Sequence, residues 1–174
     1  EHDRKITAYH EAGHALATRL LLPENHISRV TIIPSVKGAG GFNLSIPRDT
    51  LYQSQRQLLS NIKVLLAGRA AEELVFGVQE ITTGAGNDIQ KASSLIVDYV
   101  NKYGMDPDMG LFSLPVQEEG LDARLLEKCR SLINSLYDDT KLLLESRRAI
   151  LEELASKLLE RETLDSSDIE NICA

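Results

Sequence analysis

The residues best equipped for chemistry are His10, Glu11 and His14, in the run A-Y-H-E-A-G-H-A at positions 8 to 15. In a helix of 3.6 residues per turn, a four-residue step puts both imidazoles on one face, one turn apart. Two nitrogen donors so placed suit a single divalent cation, and zinc in particular. Glu11 lies about 100° further round the helix. From there a carboxylate reaches a water beside the metal without displacing it, which suits a general base rather than a ligand. The bland alternative is a chance pattern in which the histidines satisfy core polar groups. The helical context and the total of four histidines in the chain weigh against it.

A catalytic zinc site needs a third protein ligand and leaves one position open. His2 precedes the helix at what reads as a fraying end, and His26 follows Pro23 too closely to fold back. Glu72 and Glu73 fall in a helical stretch, where paired acids usually form a solvated face. Glu72 is the better candidate for a carboxylate standing behind a ligand. Asp88 opens a helix after a glycine-rich loop, a place that acids favour whether or not a metal is near. On residue chemistry alone these carboxylates remain alternatives.

The elements that must position these groups are legible in the hydrophobic periodicity. Residues 6 to 22 carry Ala8, Ala12, Ala15, Leu16 and Leu20 at helical spacing, and Pro23 stops the helix. Residues 27 to 34 are β-branched and partly alternating; a glycine-rich turn at 38 to 41 leads into F-N-L-S-I-P, so a small hairpin or sheet is expected. A strand edge within 27–33 or 42–46 offers a place for an extended substrate to add as a further strand. From Leu51 to Gly77 the period is helical, with Leu58, Ile62, Leu65 and Leu66 on one face. Another helix is expected from Asn87 to about Tyr103, then a loop from Met105 to Gly120. Two long amphipathic helices and a short capped turn from Asp165 to Ile172 complete the chain. Gly13 costs a helix about 1 kcal/mol relative to alanine, and is read as allowing a loop or strand to pack closely on the histidine helix.

Composition narrows the function classes. A net charge of −7 without a basic stripe argues against nucleic-acid binding. Two cysteines, Cys129 and Cys173, are too few for a disulfide framework and read as reduced thiols of a cytosol-like compartment. No apolar run approaches the roughly 20 residues that span a bilayer. A length of 174 residues with 43% hydrophobic content fits one domain with a sizeable core. Glu1 stands where an initiator Met is expected, so the chain reads as part of a longer protein.

Three motifs in register, A-Y-H-E-A-G-H-A at 8 to 15, G-R-A-A-E-E-L at 68 to 74 and T-T-G-A-G-N-D at 82 to 88, resemble the FtsH family of membrane-anchored, ATP-dependent AAA+ zinc proteases. The likeness continues through Y-G-M at 103 to 105 with Gly110, and through A-I-L-E-E-L-A-S-K-L-L-E-R-E-T-L at 149 to 164. The resemblance implies that His10, His14 and Asp88 bind one Zn2+ per chain and that Glu11 activates water. It implies a mainly helical, zincin-type metalloprotease domain over residues 1–174, with a small β-hairpin or sheet and a C-terminal helical bundle. The catalytic core would occupy 1–115 and the helical part 116–174. It further implies polypeptide substrates, a homo-hexamer in the full-length protein, and attachment to the cytoplasmic side of a bacterial inner membrane. ATP would act only through an AAA+ module outside this chain, which has no G-x-x-x-x-G-K-[ST] of its own. Two departures stand out: the segment V-K-G-A-G-G-F-N-L-S-I-P at 36 to 47 has less Arg and Leu than the family's, and Ala92-Ser93 replaces an Ala-Thr pair. The competing expectation is a non-catalytic oligomerisation or scaffold domain that retains structural zinc. The intact acid at Glu11 argues for the enzyme.

Overall fold

Helix α1 (His2–Leu21) is lined on its inner face by small residues, and Ala8, Ala12, Ala15 and Ala17 are all buried. Helix α2 (Gln55–Phe76) answers with its own run of Ala67, Gly68, Ala70 and Ala71. With no bulky side chains between them, the two backbones approach closely. A Cβ at Gly13 would lie 2.6 Å from the Ala67 carbonyl oxygen and 2.7 Å from the Ala71 Cβ. The close neighbour of Gly13 is therefore α2, not the loop or strand that the sequence suggested. The computed structural model describes residues 1–34, 42–46, 51–115 and 120–174, with 42–46 described as backbone only.

Between α1 and α2 run β1 (His26–Thr31) and β2 (Phe42–Ile46), which pair antiparallel with an irregularity between Ile27 and Arg29. The glycine-rich turn expected between them lies outside the described residues. A third strand, β3 (Thr163–Asp165), returns from the far end of the chain and pairs antiparallel with β1, Val30 opposite Leu164. The sheet order is β2-β1-β3. From Arg29 to Thr31 both sides of β1 are thus taken, so that part of the edge expected within 27–33 is not an edge. Sequence periodicity missed β3 because three residues are too few to show alternation. The strand is set up instead by Glu162, whose left-handed backbone (φ 64°) turns the chain and whose carbonyl accepts hydrogen bonds from Ile32 N–H and the Thr31 hydroxyl.

Ser54 starts α2 with a reciprocal capping box to Gln57, which explains why the helix begins at Gln55 and not at Leu51. The expected helix from Asn87 to Tyr103 is α3 (Gly86–Val97) followed by one wider π-helical turn, Asp98–Lys102, in which Tyr103 N–H reaches the Asp98 carbonyl. Helices α4 (Ala123–Ser146), capped by Asp122, α5 (Arg148–Arg161) and α6 (Ser166–Cys173), capped by Asp165, follow. One apolar cluster joins α1, β1 and α2 to Leu144, Leu151, Leu154, Leu158, Leu164 and Ile169. A second joins Leu58, Ile62 and Leu66 of α2 to Ile96, Tyr99, Leu125 and Leu136. Helix α2 is thus buried on both sides, and the C-terminal helices pack on the domain itself. Among the described residues no helix is long and apolar enough to cross a membrane, and both cysteines are free.

Candidate metal centre

The α1 helix presents His10 and His14 one turn apart, as the four-residue step requires. Their ring centroids are 4.7 Å apart and their planes cross at 73°. Both residues are less than one-tenth exposed, as is Glu11 between them. Asp88 arrives from the first turn of α3. Its Oδ2 lies 3.1 Å from His10 Nε2 and 3.1 Å from His14 Nε2, and the two Nε2 atoms are 3.0 Å apart.

The remaining ring nitrogens decide what those three atoms can do. His14 Nδ1 is 2.7 Å from the Val64 carbonyl oxygen. A carbonyl only accepts, so Nδ1 carries the proton and Nε2 of the neutral ring presents its lone pair. His10 Nδ1 is 2.6 Å from Glu72 Oε1, a partner that orients the ring in the same way. Two imidazole lone pairs and a carboxylate oxygen therefore converge on one point, a donor set that asks for a cation. Ligand atoms about 2.0–2.1 Å from a tetrahedral zinc stand about 3.3–3.4 Å from each other. The observed triangle of 3.0, 3.1 and 3.1 Å is within a few tenths of an ångström of one face of that tetrahedron. The residues present fit zinc.

The electrostatics express the same convergence. Burial works against a charged His10, but the hydrogen-bonded carboxylates of Asp88 and Glu72 outweigh it and push the pKa up to about 9. Burial would raise Asp88, yet its bonds to the two imidazoles hold its carboxyl well below the usual carboxylate range. Glu11 moves the other way: burial raises its pKa, only partly countered by the two neighbouring rings. Among the described residues no group hydrogen-bonds the Glu11 carboxylate, so it remains available to accept a proton.

The other acids are differently placed. Glu72 is fully buried, with Oε1 on His10 and Oε2 accepting from both the backbone N–H and the hydroxyl of Thr82, at 2.8 and 3.0 Å. Glu73 accepts a short hydrogen bond from the Tyr137 hydroxyl and faces Lys141 at 3.5 Å. His2 and His26 are exposed and stand outside the cluster.

Sequence reasoning overlooked two contributors on α2. One is the Val64 carbonyl, a backbone group that no residue type announces. The other is Gly68: a Cβ there would lie 2.4 Å from His10 Nε2 and 2.6 Å from His14 Nε2. Its one signal is the unexplained glycine that opens G-R-A-A-E-E-L.

A family model described as Peptidase family M41 matches residues 1–172. The chain is 64% identical over 173 residues to "ATP-dependent zinc metalloprotease FtsH" of Lachnoclostridium phytofermentans, covering 99% of this chain and 30% of that protein. It is 47% identical to "ATP-dependent zinc metalloprotease FtsH 1" of Alkaliphilus metalliredigens, covering 98% of this chain and 29% of that protein. A more distant likeness, 33% over 98% of this chain and 23% of the other, is to the "Mitochondrial inner membrane m-AAA protease component yta12" of Schizosaccharomyces pombe. The chain thus spans less than a third of the length of these relatives.

Proposed function

This chain belongs to peptidase family M41, and on that premise we propose that it is the zinc-dependent endopeptidase portion of a longer, ATP-dependent protease. His10, His14 and Asp88 hold the zinc, Glu72 orients His10, and Glu11 is the general base. The observation that carries this reading is the convergence of His10 Nε2, His14 Nε2 and Asp88 Oδ2 within 3.1 Å of one another.

When bound, zinc supplies Lewis acidity that polarises a scissile carbonyl and makes water more acidic. The chain's own groups do the rest. The Val64 carbonyl and the Glu72 carboxylate hold the imidazole tautomers that leave both Nε2 atoms as donors. Glu11 takes a proton from the attacking water as the oxygen–carbon bond forms, then passes it to the departing amine as the carbon–nitrogen bond breaks. The raised pKa of Glu11 suits this double duty, because a base must also be a competent acid one step later. No covalent link to the protein is needed.

In the full-length protein we place this domain in a hexameric ring, supplied with unfolded polypeptides by an AAA+ module and anchored to the cytoplasmic side of a bacterial inner membrane. The relatives' names support the ATP dependence, and the length of those proteins beyond the matched region leaves room for an AAA+ module and an anchor. The ring, the unfolded substrates and the membrane side rest on the family resemblance alone. Within the chain, residues 1–115 carry the site and 116–174 buttress it. Among the described residues the sheet's edges are β2 and the three-residue β3, and the longer β2 is the place for an extended substrate.

The test is metal content together with digestion of casein. We expect about one zinc per chain, and Glu11→Gln should abolish cleavage while zinc remains. Asp88→Ala should lose zinc, whereas Glu73→Ala should keep it. Zinc retention by Asp88→Ala would refute the ligand set.

A further inference from the structure

The segment that delivers Asp88 is held at Thr82 through every polar group that residue owns. Its N–H and its hydroxyl both donate to Glu72 Oε2, at 2.8 and 3.0 Å, and its carbonyl accepts from Arg69 Nη2 at 2.8 Å. Glu72 and Arg69 are three residues apart on α2, so they form a two-point clamp on one face of that helix. The other oxygen of Glu72 accepts from His10 Nδ1 at 2.6 Å. A single buried carboxylate therefore ties the His10 ring to Thr82.

Little slack remains between Thr82 and Asp88. The Thr82 hydroxyl also accepts from Gly84 N–H at 3.2 Å, residues 83–85 form one 3-10 turn, and Ala85 is fully buried. Helix α3 then starts at Gly86, with Asp88 in its first turn.

We propose that Thr82 is a positioning residue of the metal centre. Clamped between Glu72 and Arg69, it sets where α3 begins and hence where the Asp88 carboxylate lies. Because it shares Glu72 with His10, the clamp makes His10 and Asp88 a coupled pair rather than two independent ligands. This inference rests on the reading of His10, His14 and Asp88 as ligands and adds the linkage between them. If Thr82 merely satisfied a buried carboxylate, its loss would lower stability without any coupling to metal affinity.

The experiment measures zinc affinity of this chain by competition with a chromophoric chelator, and the visible absorption of its Co(II)-substituted form, which reports ligand geometry. Thr82→Val keeps the shape and the backbone donor but removes the hydroxyl. Zinc should bind about 10–100-fold more weakly, with an altered Co(II) spectrum, and Thr82→Ser should restore both. Glu72→Gln should also weaken binding, and the double variant should lose no more than the worse single one, because both cut the same link. Wild-type affinity and spectrum in Thr82→Val, or a loss that multiplies with that of Glu72→Gln, would overturn the proposal. If Thr82→Val fails to fold, Arg69→Met, which releases only the carbonyl side of the clamp, carries the same expectation and the same refutation. Absence of zinc from the wild-type protein would instead strike the ligand assignment itself, whereas unchanged tight binding by Thr82→Val strikes only the clamp.

Discussion

Replacing Gly68 by alanine adds one methyl group to the backbone of α2 where it faces the two imidazoles. That carbon would lie 2.4 Å from His10 Nε2, 2.5 Å from His10 Cε1 and 2.6 Å from His14 Nε2. Non-bonded heavy atoms rest at about 3.5 Å, so roughly 1 Å of separation must be found. The rings cannot turn away cheaply, since His10 is tied to Glu72 at 2.6 Å and His14 to the Val64 carbonyl at 2.7 Å. Nor can α2 retreat without opening the small-residue seam around Gly13. A metal site tolerates about 0.2 Å of ligand displacement, several times less than the shift demanded. We therefore expect Gly68→Ala to weaken zinc binding by at least about 100-fold, equivalent to about 2.7 kcal/mol. Metal-free stability should change much less. Overpacking costs about 1–3 kcal/mol, and exchanging a helical glycine for alanine returns up to about 1 kcal/mol. The assay pairs a zinc-competition titration with thermal melts in chelator: affinity should collapse while the chelated melting temperature falls by only a few degrees. Zinc binding as tight as wild type would refute the claim that the α2 backbone abuts the ligand pair.

Two further expectations concern stability. In the chelated protein His10 titrates near 9, above its ordinary 6.5, so its ion pairs stabilise the fold fully below pH 6.5 and are lost as pH rises towards 9. Asp88, held low, contributes above its ordinary 3.8 and loses that contribution as pH falls further. The chelated melting temperature should therefore decline between pH 6.5 and 9, and zinc uptake in that interval should release a proton from His10; a flat profile with no proton release would contradict the coupling. Gly13→Ala, which drives a methyl to 2.6 Å from a backbone oxygen that cannot swing aside, should destabilise the fold by about 1–3 kcal/mol in chemical denaturation, and an unchanged midpoint would contradict the close α1–α2 contact.

What the sequence determined by itself was local. A four-residue step on a helix stacks His10 over His14 with no tertiary help, and the amphipathic periodicity of α4 and α5 marks which faces are buried, whereas α2 is buried on both sides. Caps such as Ser54 with Gln57, and Asp165 with Asp168, are likewise written in neighbouring residues. Everything beyond one turn of helix was decided by packing. Asp88 lies 78 positions from His10, and residue chemistry alone does not separate a ligand from an ordinary helix-starting acid; only the resemblance of the segment 82–88 to a known family singled it out. Glu72 and Glu73 are identical in type and adjacent in sequence, yet the 100° between successive helical residues sends one to His10 and the other to Tyr137. Strand β3 exists because β1 offers it a free edge, not because three residues favour the extended state. The Val64 carbonyl and the bare backbone at Gly68 become part of the site only because small residues let α2 come within touching distance of α1. The helix period is an intrinsic property of the chain, whereas the distance between two helices is a property of the fold.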